Sequence, residues 1–203
     1  MRYTHASIGS ALLPKIIGSY EEPIHAWIED AIELSYRTIY VIGAAEGYYA
    51  VGLARAIPTA QVTAFETSNR GRELLGELAR INSVSVESHG TATVDSLKLL
   101  KPKGPALFIM DVEGAERTLL DPSIGSMERS DIIVETHDFL VPFVTRQLVK
   151  RFETTHRIEL AFDYAWRNAT YVDLRGERII RKEWFSEERR PGSKWLRLRA
   201  RAR

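Results

Sequence analysis

Two short stretches concentrate side chains able to do acid–base work. DVEGAE at 111–116 supplies Asp111, Glu113 and Glu116, and ETH at 135–137 supplies Glu135 and His137. FIM at 108–110 and IIV at 132–134 read as buried strands, so Asp111 and Glu135 stand at the ends of neighbouring strands. Glu135 and His137 alternate along an extended segment and share a face. Ligands of open α/β sheets bind beyond the carboxyl ends of the strands, where this trio would lie. Two carboxylates and an imidazole can position a hydroxyl and accept its proton, and His137 is the expected base, with a range near neutrality. The same oxygens could take a hard divalent cation, but too few further ligands can be named to predict one. Competing structural roles are helix capping for Asp111 or Glu113, a solvated helix face for Glu116, and an orienting role for His137.

A second constellation precedes it. In TIYVIGAAEGYYAVGLARA, residues 38–56, Gly43 and Gly47 bracket a strand-to-helix junction. Gly43 lets the chain turn close to a ligand, and Gly47 opens a helix whose unpaired N–H groups form an electropositive rim. Such a turn alone fits a purely structural loop as well. Glu66, just beyond the next strand, adds a carboxylate placed to accept both hydroxyls of an adenosine ribose. A nicotinamide dinucleotide and S-adenosylmethionine both fit this logic. The spacing Gly43, Ala45, Gly47 departs from the dinucleotide pattern G-x-G-x-x-G. Glu46 would sit badly beside a pyrophosphate but acceptably beside a sulfonium and an amino group. Gly43, Ala44, Ala45, Glu46 and Gly47 are therefore expected to line a cofactor, with Glu66 and Thr67 beside them. For Glu46 the competing role is a solvated helix start.

The elements that must hold these residues alternate. Strands are expected at 38–42, 61–65, 84–87, 106–110 and 132–135. Helices fall at 22–35, 48–57, 69–80, 94–100, 115–120 and 144–152, and the apolar residues before Pro14 could add a short one. Repeated strand–helix units imply a doubly wound, mostly parallel sheet with helices on both faces. Arg157–Phe162 and Lys194–Ala200 are expected to pair as an antiparallel hairpin at one sheet edge. In the second of these, Leu196, Leu198 and Ala200 would face the core, while Arg197, Arg199 and Arg201 face water.

The ordered set IGAAEG, AFE, Asn82 in ARIN, IMDVEGAE and VETH resembles the FkbM-type family of S-adenosylmethionine-dependent methyltransferases, over about residues 38–140. The resemblance implies a seven-stranded, Rossmann-like class I methyltransferase sheet with its last strand antiparallel. It implies O-methylation of a small-molecule, sugar or natural-product acceptor. The loop at 43–47 would hold the methionine portion, Glu66 the ribose, and Gly90 and Thr91 the adenine. Asp111 would sit where cofactor and acceptor meet, with Glu135 and His137 facing the acceptor. Relatives begin the loop Asp-Ile-Gly-Ala-Asn, whereas this chain has Val41 and Ala45 at the two polar positions. Loss of the acid removes an anchor for the cofactor's amino end, and Glu46 is the nearest candidate to replace it.

The bulk properties agree with an ordinary folded chain. Its 203 residues suit one substantial core, expected as a single domain with residues 1–35 as a helical extension. There is no cysteine, which excludes disulfides, thiolate metal sites and cysteine nucleophiles. Net charge of +1 makes no electrostatic case for nucleic acid or a membrane surface. No apolar run approaches a membrane span and no secretory leader is seen, so a cytoplasmic protein is expected. The rival functions are an NAD-dependent oxidoreductase and a non-catalytic binding module that retains the fold. Acceptor specificity is expected from residues 1–35 and the later loops, with Tyr20, His25, Trp166, Trp184 and Phe185 as candidate pocket residues. A homodimer is compatible with the sequence.

Overall fold

In the computed structural model, residues 1–124, 126–162, 171–172, 178–179 and 194–201 are described. The apolar runs form the strands β1 (Thr38–Ile42), β2 (Gln61–Phe65), β3 (Glu87–His89), β4 (Leu107–Met110), β5 (Asp131–Thr136) and β6 (His156–Phe162). β7 (Tyr171–Val172) and β8 (Arg178–Ile179) make a separate two-stranded ribbon, and β9 (Lys194–Ala200) returns to the main sheet. The seven-stranded sheet has the order β3-β2-β1-β4-β5-β9-β6. β1 to β5 are mutually parallel, and β9 runs antiparallel to both β5 and β6. The expected terminal hairpin is present, with Arg157 opposite Arg199 and Phe162 opposite Lys194.

Alternation along each strand divides the core into two layers. Tyr40, Ile42, Phe108, Met110, Ile132 and Val134 face α5 (Val94–Lys98), α6 (Glu116–Leu119) and α7 (Val144–Phe152). Ile39, Val41, Leu107, Ile109 and Ile133 face α2 (His25–Leu34), α3 (Tyr48–Ala56) and α4 (Asn69–Ile81). The strand order reverses between β1 and β4, because the chain leaves the β3 edge and returns beside β1. That reversal opens a crevice at the strand ends, where ligands of such sheets bind.

Three local expectations shift. α1 (Leu12–Ile17) includes Pro14 rather than stopping before it. Pro14 lies in the first turn, where its missing N–H removes no helical bond. β3 begins at Glu87, because Val84 N–H donates to the Ala79 carbonyl and extends the close of α4. Arg197 is 4% exposed rather than wet. α2 covers its face of the sheet, and its guanidinium pairs with Asp30 at 2.7 Å and Glu159 at 3.8 Å. Arg201 is exposed, as expected of that face. No helix among the described residues is long and apolar enough to cross a membrane.

Candidate functional site

Gly43 closes β1 in a left-handed conformation, φ +81°. Its N–H and that of Ala44 both donate to the Phe65 carbonyl, at 2.9 and 3.0 Å, while Asp111 N–H donates to Ile42. This draws the ends of β1, β2 and β4 together. A Cβ on Gly43 would collide with the Asp111 carbonyl, so the position has no room for a side chain. Gly47, φ +97°, caps α3 and lies against Leu75, whose Cγ would be 2.9 Å from an added Cβ. Above this turn lie two adjoining cavities, of about 190 and 280 Å³. Together they reach the range of small-molecule sites, about 300–1,000 Å³.

The smaller lobe is lined by Val41, Gly43, Ala44 and Ala45 of the loop, and by Ile8, Gly9, Ser10, Lys15, Tyr20 and Glu21 from the N-terminal segment. The larger lobe is lined by Phe65, Glu66, Thr67, Thr91, Ala92, Val112 and Leu119. Ile42, Gly43, Glu66, Asp111 and Glu113 border both. Glu66 is held by Ala45 N–H at 2.8 Å on one oxygen and Ser68 N–H at 2.7 Å on the other. Each oxygen keeps further acceptor capacity toward a ligand. Among the remaining loop candidates, Gly47 and Gly90 border neither lobe.

Glu46 turns away from both lobes. Its carboxylate is fully buried and ion-paired with Lys15. It also accepts from Tyr3 Oη, Ser7 Oγ and the Ile8 N–H, the last two at 2.9 and 3.1 Å. Burial alone would raise its pKa, but the charge and hydrogen bond of Lys15 and the Tyr3 hydroxyl bring it below the usual carboxylate value. The residue expected beside a cofactor therefore anchors residues 3–15. Asn82 acts similarly, exchanging two 2.8 Å hydrogen bonds with the backbone of Arg2.

The acid–base trio is assembled, with an addition. His137 Nε2 is 3.5 Å from Asp111 Oδ1 and 4.0 Å from Glu135 Oε2, and Nδ1 is hydrogen-bonded to Glu116. Glu116 is wholly buried, not on a solvated face. Burial would lower the His137 pKa, but the Glu116 hydrogen bond and charge, reinforced by Glu135 and Asp111, raise it to about 9. The cluster thus favours the charged imidazole, where the residue type alone leads one to expect a base near neutrality. Asp111 borders both lobes, whereas Glu135 and His137 sit behind it. Glu21 joins the cluster from the N-terminal segment, and its carboxylate accepts the Tyr49 hydroxyl. Two sets, Asp111–Glu113–His137 and Glu21–Asp111–Glu135, place ligand atoms within 4.8 Å of one another and could meet around a cation. Nothing in EEP at 21–23 distinguished Glu21 from a surface acid before a proline turn. Only the path of the segment across the sheet end reveals it.

A third cavity, about 580 Å³, lies between the N-terminal segment, α2 and α3. Tyr3, Tyr20, His25, Ile28, Tyr48 and Tyr49 line it, and Lys15, Tyr20, Tyr48 and Tyr49 form its wall with the smaller lobe. Tyr20 and His25 thus line cavities, while Trp166, Trp184 and Phe185 lie outside the described residues.

The strand order, with its reversed strand between β5 and β6, defines the fold of class I S-adenosylmethionine-dependent methyltransferases. The chain is similar to the O-methyltransferase TomG of Streptomyces achromogenes, solved with S-adenosylmethionine, at TM-score 0.54 and 16% identity, covering 94% of this chain and 87% of that one. A Thermotoga maritima S-adenosylmethionine-dependent O-methyltransferase gives 0.58 and 13%, covering 95% and 72%. A Geobacter metallireducens precorrin-6y C5,15-methyltransferase gives 0.56 and 10%, covering 85% and 87%. No family model and no curated protein matches the sequence. The resemblance to the FkbM-type family is therefore not upheld: the fold is the general class I one. The motifs behind that resemblance are short glycine and acid clusters at strand ends. Here several serve local duties, with Asn82 holding Arg2 and Glu116 holding His137.

Proposed function

We propose that this protein is an S-adenosylmethionine-dependent methyltransferase acting on a hydroxyl of a small-molecule, sugar or natural-product acceptor. The observation that carries this reading is the pairing of a side-chain-free cradle at Gly43 with an acidic cavity wall. Glu21, Glu66, Asp111 and Glu113 border the smaller lobe, and its one lining lysine, Lys15, is ion-paired with Glu46. Such walls suit a ligand bearing sulfonium and ammonium charges and repel a pyrophosphate, which disfavours the NAD-dependent alternative.

In this reading the loop at 43–45 receives the amino-acid end, Glu66 the ribose hydroxyls, and Thr67, Thr91 and Ala92 the base. The bound cofactor supplies an electrophilic methyl group. The protein's contribution is alignment and exclusion of water, for which the N-terminal segment closes one side of the smaller lobe. Asp111 is placed to orient the acceptor hydroxyl. His137, 3.5 Å behind Asp111, is the base of this reading when its imidazole is neutral.

Calorimetric titration with S-adenosylmethionine and NAD tests the reading. The expected result is binding of the first alone, weakened about tenfold or more by Glu66→Ala. Undiminished binding by that variant removes Glu66 from the site, and no binding of S-adenosylmethionine by the wild type ends the methyltransferase reading.

A further inference from the structure

We infer that Glu21, carried in by the N-terminal segment, binds the α-ammonium group of the cofactor's amino-acid end. The inference rests on the methyltransferase reading above and identifies a binding residue within it.

Val41 lines the smaller lobe, and its side chain carries no polar atom. An amino-acid ligand there brings an ammonium with three N–H donors, and burying it without an acceptor would be costly. Four carboxylates border the lobe: Glu21, Glu66, Asp111 and Glu113. Glu66 also borders the larger lobe and is oriented by Ala45 and Ser68 toward the ribose side. Asp111 faces His137. Glu113 is exposed, where solvent screens its charge. Glu21 borders the smaller lobe alone and is 1% exposed.

Its position is firmly set. Glu21 adopts a left-handed backbone, φ 53°, uncommon for a non-glycine residue. His25 Nε2 donates to the preceding carbonyl, that of Tyr20, at 2.8 Å, and the Tyr49 hydroxyl holds the carboxylate from α3. Glu46 cannot take the role, because it borders neither lobe and its oxygens are engaged by Lys15, Tyr3, Ser7 and Ile8. The acceptor for the ammonium thus comes from the segment that covers the loop, which makes that segment part of the cofactor site.

The test compares S-adenosylhomocysteine with its analogue lacking the α-amino group, by calorimetry, on the wild type and on Glu21→Gln. The wild type is expected to prefer the parent ligand about tenfold or more. In Glu21→Gln that preference should collapse to within about twofold, while affinity for the des-amino ligand is unchanged. Equal loss for both ligands would overturn the inference, leaving Glu21 a structural prop. So would a preference that survives the substitution. If Glu21→Gln does not fold, the wild-type comparison still decides: equal binding of the two ligands overturns the assignment. Failure of the wild type to bind S-adenosylhomocysteine at all overturns the methyltransferase reading together with the inference. Binding without amino-group discrimination overturns the inference alone.

Discussion

Gly43 stands where the backbones of β1 and β4 come closest, and its φ of +81° is one that only glycine adopts without strain. Gly43→Ala is expected to lower unfolding free energy in urea by about 3 kcal/mol or more, because the obstacle is the Asp111 backbone and not a movable side chain. His137 makes a pH prediction of definite sign. Its pKa is about 9 in the fold against 6.5 for an unconstrained imidazole, so its charged partners stabilise the fold fully below pH 6.5. That stabilisation should disappear as pH rises from 6.5 to 9. Wild-type unfolding free energy should therefore decline over this interval more steeply than that of His137→Gln. The residue types of the site were legible in the chain, since Asp111, Glu135 and His137 do converge. Their protonation was not, because it depends on Glu116, which reaches Nδ1 from another element.

Elements are legible in the sequence where a strand is buried on both faces or a helix has a strong apolar stripe. β1, β2 and α7 match their expected limits residue for residue. The errors fall where the pattern is short or ambiguous. β3 is a three-residue edge strand with exposed side chains, so it carries little apolar signal. In β9 the alternation of leucine and arginine suggested one wet face, yet α2 lies over Arg197. Sequence period identifies a face but not what a distant helix later places on it. Arg197→Ala should cost about 1–3 kcal/mol, since it removes a buried cation while leaving Asp30 half exposed and able to hydrate. Thermal or urea unfolding measures this. A change within error would show that the α2–β9 tie is made by packing alone.

For the whole molecule, the N-terminal segment is the least legible part and the most consequential. It is fastened by Asn82 to Arg2, by Glu46 to residues 3–15, and by Tyr49 to Glu21. None of these contacts has a local spacing that a sequence reading could detect, because each partner lies far along the chain. The buried Lys15–Glu46 pair should behave as a unit. Lys15→Met or Glu46→Gln alone is expected to cost about 3–5 kcal/mol, since each leaves a buried group uncompensated. The double variant should recover more than half of that loss, as measured by a double-mutant cycle in urea.

The place of β9 between β5 and β6 has a consequence for biosynthesis. A ribosome delivers β1 to β6 before the strand that joins β5 to β6, so during translation both strands present bare hydrogen-bonding edges. Edges of that kind invite pairing with other chains, and the long-range contacts that end the exposure form slowly. Nascent chains stalled before Lys194 should therefore bind holding chaperones and succumb to proteases. Release of the β9 residues from the exit tunnel should end that vulnerability in a single step.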